Sequence, residues 1–230
     1  MGSEMCIRDR CVWWQEVTVM GNMRKLRSKR SSRTPGEPLS SETNILTDGC
    51  LIDLCGVTLM WRSAMGLEQA PTRQLITEHL KELNQGAMHC PVGLQTLHLP
   101  VASRVHQPAS PSAYNVPERH PWVYLACGHV HGPHEWRAET GETNQQRTCT
   151  ICRKVGPFVR LSNGEERSYC LDMEPPTHAF VPCGHMCSEH TAKYWSSVPI
   201  QYSIDKWSAV CPFCKTPLSQ STGYVKLIFA

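Results

Sequence analysis

No run of eighteen or more apolar residues occurs in this 230-residue chain. A membrane-spanning helix is therefore not expected. The first twenty residues hold no uninterrupted apolar stretch, so no secretory leader is expected either. Charge of one sign is also scarce. The formal net charge is +3, too small to point to nucleic acid on its own. Signatures of catalytic zinc are missing. "HEWRA", starting at His134, carries Ala138 where a metalloprotease would place its second histidine. The His-x-Glu with Pro-Cys-x-x-Cys pattern of the zinc deaminases does not occur.

Cysteine, in contrast, is abundant, with thirteen copies. Without a leader, and with Cys-x-x-Cys spacing, metal is a better reading than disulfides. "CGHVHG" begins at Cys127, and "CGHMCS" begins at Cys183. Each is preceded by an aromatic three positions upstream, Tyr124 and Phe180. Each is followed by a Cys-x-x-Cys, "CTIC" (Cys149 and Cys152) and "CPFC" (Cys211 and Cys214). A structural Zn²⁺ takes four sulfur or imidazole donors at tetrahedral corners. Cys-x-x-Cys and Cys-x-His each bring two donors from one turn to one point. Gly128 and Gly184 free the backbone for such turns. The expected ligands are Cys127, His129, Cys149, Cys152, Cys183, His185, Cys211 and Cys214, holding two structural Zn²⁺ ions. Six thiolates and two divalent ions would lower the net charge by two, to about +1. Two pairings are open. Interleaved use gives one Cys₂His₂ site and one Cys₄ site; sequential use gives two Cys₃His sites. His131, His134, Cys187 and His190 lie close by as spare donors, expected beside the ions or at the surface. Sites closed by four protein ligands leave no place for a reacting water. The metal is thus expected to build shape, and function to come from the surface.

The remainder divides by composition. Residues 1–13 show no periodicity and are expected to be foreign to the fold. Trp13–Gly21 alternates as a strand does, and Asp48–Trp61 reads as one or two strands opened by an Asp-Gly turn, with Gly56 as a kink or break. Six basic residues fall between Arg24 and Arg33; a solvated loop is favoured over a localisation or anion-binding patch. In residues 72–85, Leu75, Ile76, His79, Leu80 and Leu83 share one helical face, with Gly86 at the C′ position. His79 belongs to that stripe as a packed residue. Ser103–Pro121 carries four prolines and reads as a linker. Gly223–Phe229 reads as a closing strand. The expected division is 1–13, strands over 14–70, helix and linker over 71–120, and the zinc module over 121–230. The fold class is α+β, mostly β.

The phrases "LIDLCGVTLMWRSAMGL", "CPVGLQTL", "PWVYLACGHVHGPHEW", "VGPFVRL", "PPTHAFVPCGHMCSEHTAKYWS" and "CPFCKTPL…GYVKLIF" closely resemble the Pellino proteins. The resemblance runs from about Trp14 to the C-terminus. It implies a RING-type E3 ubiquitin ligase of Toll and interleukin-1 receptor signalling, cytoplasmic. It also implies an N-terminal forkhead-associated (FHA) β-sandwich, of which only the last strands, Trp14 to about Trp61, are expected here. None of the family's phosphothreonine contacts can be carried over. RING fingers place a Cys-x-His and the final Cys-Pro-x-Cys on one ion, which favours Cys183, His185, Cys211 and Cys214 together.

By that resemblance the partners are a ubiquitin-conjugating E2 enzyme, ubiquitin and interleukin-1 receptor-associated kinases. Candidate E2 contacts are Ile151, Pro212, Phe213, Trp195 and Trp207, with Lys215 as a cation bridging E2 and ubiquitin. Ile151 and Phe213 could equally pack inside, as could the tryptophans. Other readings are a non-catalytic adaptor for signalling kinases, a ligase with a covalent cysteine (Cys170 or Cys187), and a nucleic-acid-binding zinc ribbon. The last is disfavoured by charge and by the lack of basic–aromatic interleaving.

Overall fold

The computed structural model describes residues 14–27, 29, 32–54, 57–86, 88–99, 120–134, 146–164, 166–203, 206–219 and 221–229. The expectations for residues 1–13, for Gly56 and for most of the 103–121 linker lie outside these. Two short antiparallel hairpins come first. Strand β1 (Gln15–Val17) pairs with β2 (Met23–Lys25), and β3 (Leu51–Asp53) with β4 (Thr58–Met60). The basic stretch makes local contacts. Lys25 pairs with Glu37 at 2.7 Å, and Arg27 with Glu16 at 2.8 Å. Helix α1 (Ala64–Gln69), for which no sequence signal was identified, is capped by Ser63, whose hydroxyl accepts from the Gly66 amide.

Helix α2 (Arg73–Gln85) starts at Thr72, whose hydroxyl accepts from the Leu75 amide at 3.1 Å. Its apolar stripe meets the core through Leu80, fully buried, with Ile76 and Leu83 beside it. Gly86 closes the helix at φ −66°, so the left-handed C′ conformation expected there does not form.

The cysteine-rich part is built twice. In the first repeat, β5 (Trp122–Tyr124) lies between β6 (Val130–His131) and β8 (Val155–Arg160), and β7 (Gln146–Thr148) flanks β8. In the second, β10 (His178–Phe180) lies between β11 (His185–Cys187) and β14 (Tyr224–Lys226). Strand β9 (Ser162–Asn163), the continuation of the first repeat, pairs in parallel with β11 and completes the second sheet. Among the described residues, helix α3 (Glu189–Ser197) and the hairpin of β12 (Ile200–Ser203) and β13 (Lys206–Ser208) are inserted in the second repeat.

Alternation along each central strand divides its side chains between two cores. Val123, Val130 and Leu161 from the first repeat meet Ala179, Met186 and Leu227 from the second in a shared core, covered by α2. Each of these three pairs occupies equivalent places in the repeats. The intervening aromatics face outward to private cores. Tyr124 packs with Phe158 and Cys149, and Phe180 packs with Trp195, Cys187 and Cys211.

The repeats also exchange backbone bonds reciprocally. The Ile228 amide donates to the Gly128 carbonyl at 2.8 Å, and the Ser162 amide donates to the Gly184 carbonyl at 3.0 Å. Both glycines have positive φ, 81° and 76°. A Cβ on Gly128 would lie 1.9 Å from the Lys226 carbonyl oxygen, and one on Gly184 would lie 2.5 Å from that of Arg160. Each Cys-Gly-His is thus strapped to the tail of the other repeat.

The N-terminal strands sit against the second repeat. Leu51 and Met60 pack on its private core. The Tyr194 hydroxyl donates to the Gly49 carbonyl at 2.6 Å, and the Trp14 indole donates to that of Pro199 at 2.6 Å. Arg62, paired with Asp48, donates to the Ser168 carbonyl.

Candidate metal centres

Each repeat brings its own four donors together. Cys127, His129, Cys149 and Cys152 form one group; Cys183, His185, Cys211 and Cys214 form the other. Within each, the four donor atoms lie within 4.8 Å of one another. His129 Nδ1 is 3.3 Å from the Cys127 sulfur and 3.6 Å from that of Cys149. A tetrahedral Zn²⁺ would separate sulfur and nitrogen by about 3.6 Å, and two sulfurs by about 3.8 Å. The pairing is sequential: two Cys₃His groups, not an interleaved brace. The second group is the one that the RING comparison favoured. Duplication supplies the reason. Each unit closes on its own donors, and the units exchange strands in place of ligands.

The local backbone explains the convergence. In Cys149–Lys154, the Arg153 amide donates to the Cys149 carbonyl, and the Cys149 amide to that of Lys154. Cys211–Thr216 repeats both bonds. Arg153 and Lys215 take positive φ, 61° and 60°. This turn aims both cysteines of each Cys-x-x-Cys at one point. A third copy, which sequence reading missed, runs from Cys90 to Gln95. The same two backbone bonds recur, and Leu94 has φ 52°. Gly93 stands where the second cysteine would, and its amide donates to the Cys90 sulfur at 3.3 Å. Cys90 itself is buried in the shared core. The signal was "CPVG" beside "CPFC".

The donor chemistry fits a soft divalent cation. All described cysteines are free thiols. Burial pushes the Cys127 thiol up to about 12. In the second group, the close approach of the Cys211 and Cys183 sulfurs lowers the Cys183 thiol and pushes that of Cys211 up. Crowding several thiols at one point opposes their ionisation together; a dication removes that conflict. His185 Nδ1 is buried without a hydrogen-bond partner among the described residues, as a group awaiting a ligand would be. Either cluster could hold a metal ion.

The spare donors lie outside the two tetrads. His131 is fully buried beside Tyr124, and His134 lies beside it, 3.4 Å from the Tyr124 hydroxyl. Cys187 is buried in the private core of the second repeat. His190 contacts the Asp172 carboxylate at 3.1 Å. Burial pushes the Cys170 thiol up to about 12 and raises that of Cys187 well above its usual range. Both shifts count against a covalent thiolate.

Of the surface candidates, Ile151 is 44% exposed at the tip of the first knuckle. Lys215 is exposed, and Phe213 is half-buried against Phe180 and His185. Trp207 is at the margin of exposure and packs on Trp14, ring centroids 5.5 Å apart. Two expectations need correction. Trp195 is 3% exposed, with its indole donating to the Tyr169 carbonyl, and Pro212 is buried. Both belong to the interior: the helix α3 stripe carries Trp195 inward, and the knuckle folds Pro212 beneath its own turn.

Residues 83–230 match the Pellino RING domain, and residues 3–79 match the Pellino FHA domain. The chain belongs to the Pellino family. It is 46% identical over 216 residues to E3 ubiquitin-protein ligase pellino homolog 2 of Mus musculus, covering 94% of this chain and 50% of that protein. It is 45% identical over 217 residues to pellino homolog 3 of Mus musculus, 94% of this chain and 47% of the relative. With Protein pellino of Drosophila melanogaster it shares 44% over 224 residues, 96% of this chain and 49% of that one. The chain therefore spans about half the length of the curated relatives it matches. No solved structure matches. Both donor groups fall inside the Pellino RING match, and the hairpins docked on the second repeat fall inside the FHA match. Among the described residues, no helix is long and apolar enough to cross a membrane.

Proposed function

We propose that this chain carries the RING part of an E3 ubiquitin-protein ligase of Toll and interleukin-1 receptor signalling, acting in the cytoplasm with two structural Zn²⁺ ions. One observation carries the reading: two closed tetrads of soft donors lie within the stretch that matches the Pellino RING domain. Cys127, His129, Cys149 and Cys152 hold one ion, and Cys183, His185, Cys211 and Cys214 hold the other. Zn²⁺ supplies folding free energy there, on the order of 10 kcal/mol per site.

The chemistry is proximity and orientation. The E2 enzyme docks on the apolar tips of the knuckles, Ile151 and Phe213, with Trp207 alongside. Lys215 contributes a positive charge next to the last ligand, where E2 and ubiquitin meet. Pro212 and Trp195 support this surface from inside. No cysteine of this chain forms a thioester intermediate with ubiquitin; transfer runs directly from the E2 enzyme to a lysine. Interleukin-1 receptor-associated kinases are the proposed substrates or docking partners.

Autoubiquitination of the purified chain with a panel of E2 enzymes tests this. Chain formation with at least one E2, and no reducible ubiquitin–chain thioester, is the expected result. Zinc-loaded protein inactive with every E2 would leave the adaptor reading in its place.

A further inference from the structure

Behind the first donor group stands an imidazole that the tetrad does not use. His131 follows the candidate ligand His129 by two positions and has no solvent exposure. Its ring meets Tyr124 edge-on, centroids 5.1 Å apart, and packs on His134 and Phe158 at 5.5 and 6.4 Å. Nε2 lies 3.9 Å from the Cys149 sulfur, the long end of a contact to so large an atom. Nδ1 is buried and has no hydrogen-bond partner among the described residues.

These facts place the proton of the neutral ring. On Nδ1 it would be a buried donor with nothing to meet, at a cost of about 1–3 kcal/mol. On Nε2 it points at sulfur. The second repeat has no such group. The equivalent position, two after His185, is Cys187, which packs in the core with Cys211. The two centres therefore differ in what backs the first cysteine of Cys-x-x-Cys: an imidazole N–H in one, a neutral thiol in the other.

We propose that His131 is a positioning residue of the first metal centre, its Nε2–H bonding the Cys149 sulfur, fixing that ligand and drawing charge from it. This rests on the metal reading of the tetrads. Outer partners of metal ligands contribute about 10–100-fold to metal affinity when their hydrogen bond is intact. The first centre gains this support, and the second has no counterpart.

The test uses the full chain loaded with zinc and, separately, with Co²⁺, comparing the parent with His131→Phe and His131→Gln. Phenylalanine keeps a buried ring without an N–H, whereas glutamine keeps a donor. Native mass gives metal stoichiometry, the sulfur-to-cobalt absorption band reports the thiolate, and a chromogenic chelator gives release rates. Both variants should keep two ions. His131→Phe should move the band and release one ion about tenfold faster; His131→Gln should stay nearer the parent on both. A His131→Phe protein matching the parent in band and release would overturn the proposal. So would both variants changing alike, which means packing alone, or His131→Phe retaining one ion, which means direct ligation. A parent that binds no metal would overturn the tetrad reading along with it.

Discussion

Ile151 and Phe213 hold the same place in their two knuckles, yet among the described residues Ile151 stays exposed while rings cover Phe213. The 44% exposure of Ile151 contrasts with the ring contacts that hold Phe213. Ile151→Ala should therefore cut ubiquitin-chain formation by about tenfold or more, on the scale of an interface hot spot, while bound zinc and thermal stability stay unchanged. Activity equal to the parent would remove Ile151 from the E2 surface. Asp48 gives a pH-dependent prediction. Burial opposes ionisation of its carboxyl, but the Ser63 amide and the Arg62 guanidinium outweigh it and hold the value below the ordinary range. A depressed carboxylate stabilises the fold above its usual titration range, and that contribution is lost as pH falls through the folded value. Acidification should loosen the N-terminal strands from the second repeat, and Asp48→Asn should do so at neutral pH. Limited proteolysis of residues 14–62 reads both; equal resistance of parent and variant would count against the link. Single residues were legible wherever chemistry is restrictive. Thiols and imidazoles at ligand spacing marked both donor groups, but whether a tryptophan faces in or out depends on its neighbours, and Trp195 went inward.

The Cys-x-x-Cys knuckle was readable as an element because that spacing demands one turn. That turn also forms at Cys90–Gln95 with a single cysteine, held by backbone bonds and the buried sulfur. Helix α2 was readable from its stripe and its Thr72 cap. Helix α3 was not, since its nine residues hold one buried aromatic among polar neighbours. Its start depends on Ser188, which accepts from the Thr191 amide and donates to Asp172. Gly128 and Gly184 carry more than the turn flexibility read from Cys-Gly-His, because each touches the opposite repeat. Gly184→Ala adds a left-handed penalty of about 1–2 kcal/mol to a clash with the Arg160 carbonyl. The expected outcome is a loss of more than about 2 kcal/mol in denaturant unfolding, with reduced zinc content. Parent-like stability would mean that the strap is not needed.

At the scale of the molecule, the shared core and the two straps tie both donor groups to one folding unit. Chelation should then remove the ions together. Native mass spectra during chelator titration should show two-ion and metal-free protein with little one-ion species, and circular dichroism should fall in one step. Two separated steps would mean that the repeats fold independently. Docking of the N-terminal strands adds a milder test. Tyr194→Phe removes the bond to Gly49 and should cost about 0.5–1.5 kcal/mol, seen as faster amide exchange in residues 49–62 with no change in bound zinc. From the sequence alone came the duplicated donor set, the α2 stripe and the mostly-β class, because donor spacing and periodicity are local properties of the chain. The partition of eight donors into two sequential groups, the exchange of strands between repeats, the inward turn of Trp195 and the seating of the hairpins on the second repeat were decided by tertiary structure. They depend on which apolar faces and unpaired backbone groups find each other between segments far apart along the chain, and no short-range pattern records that choice.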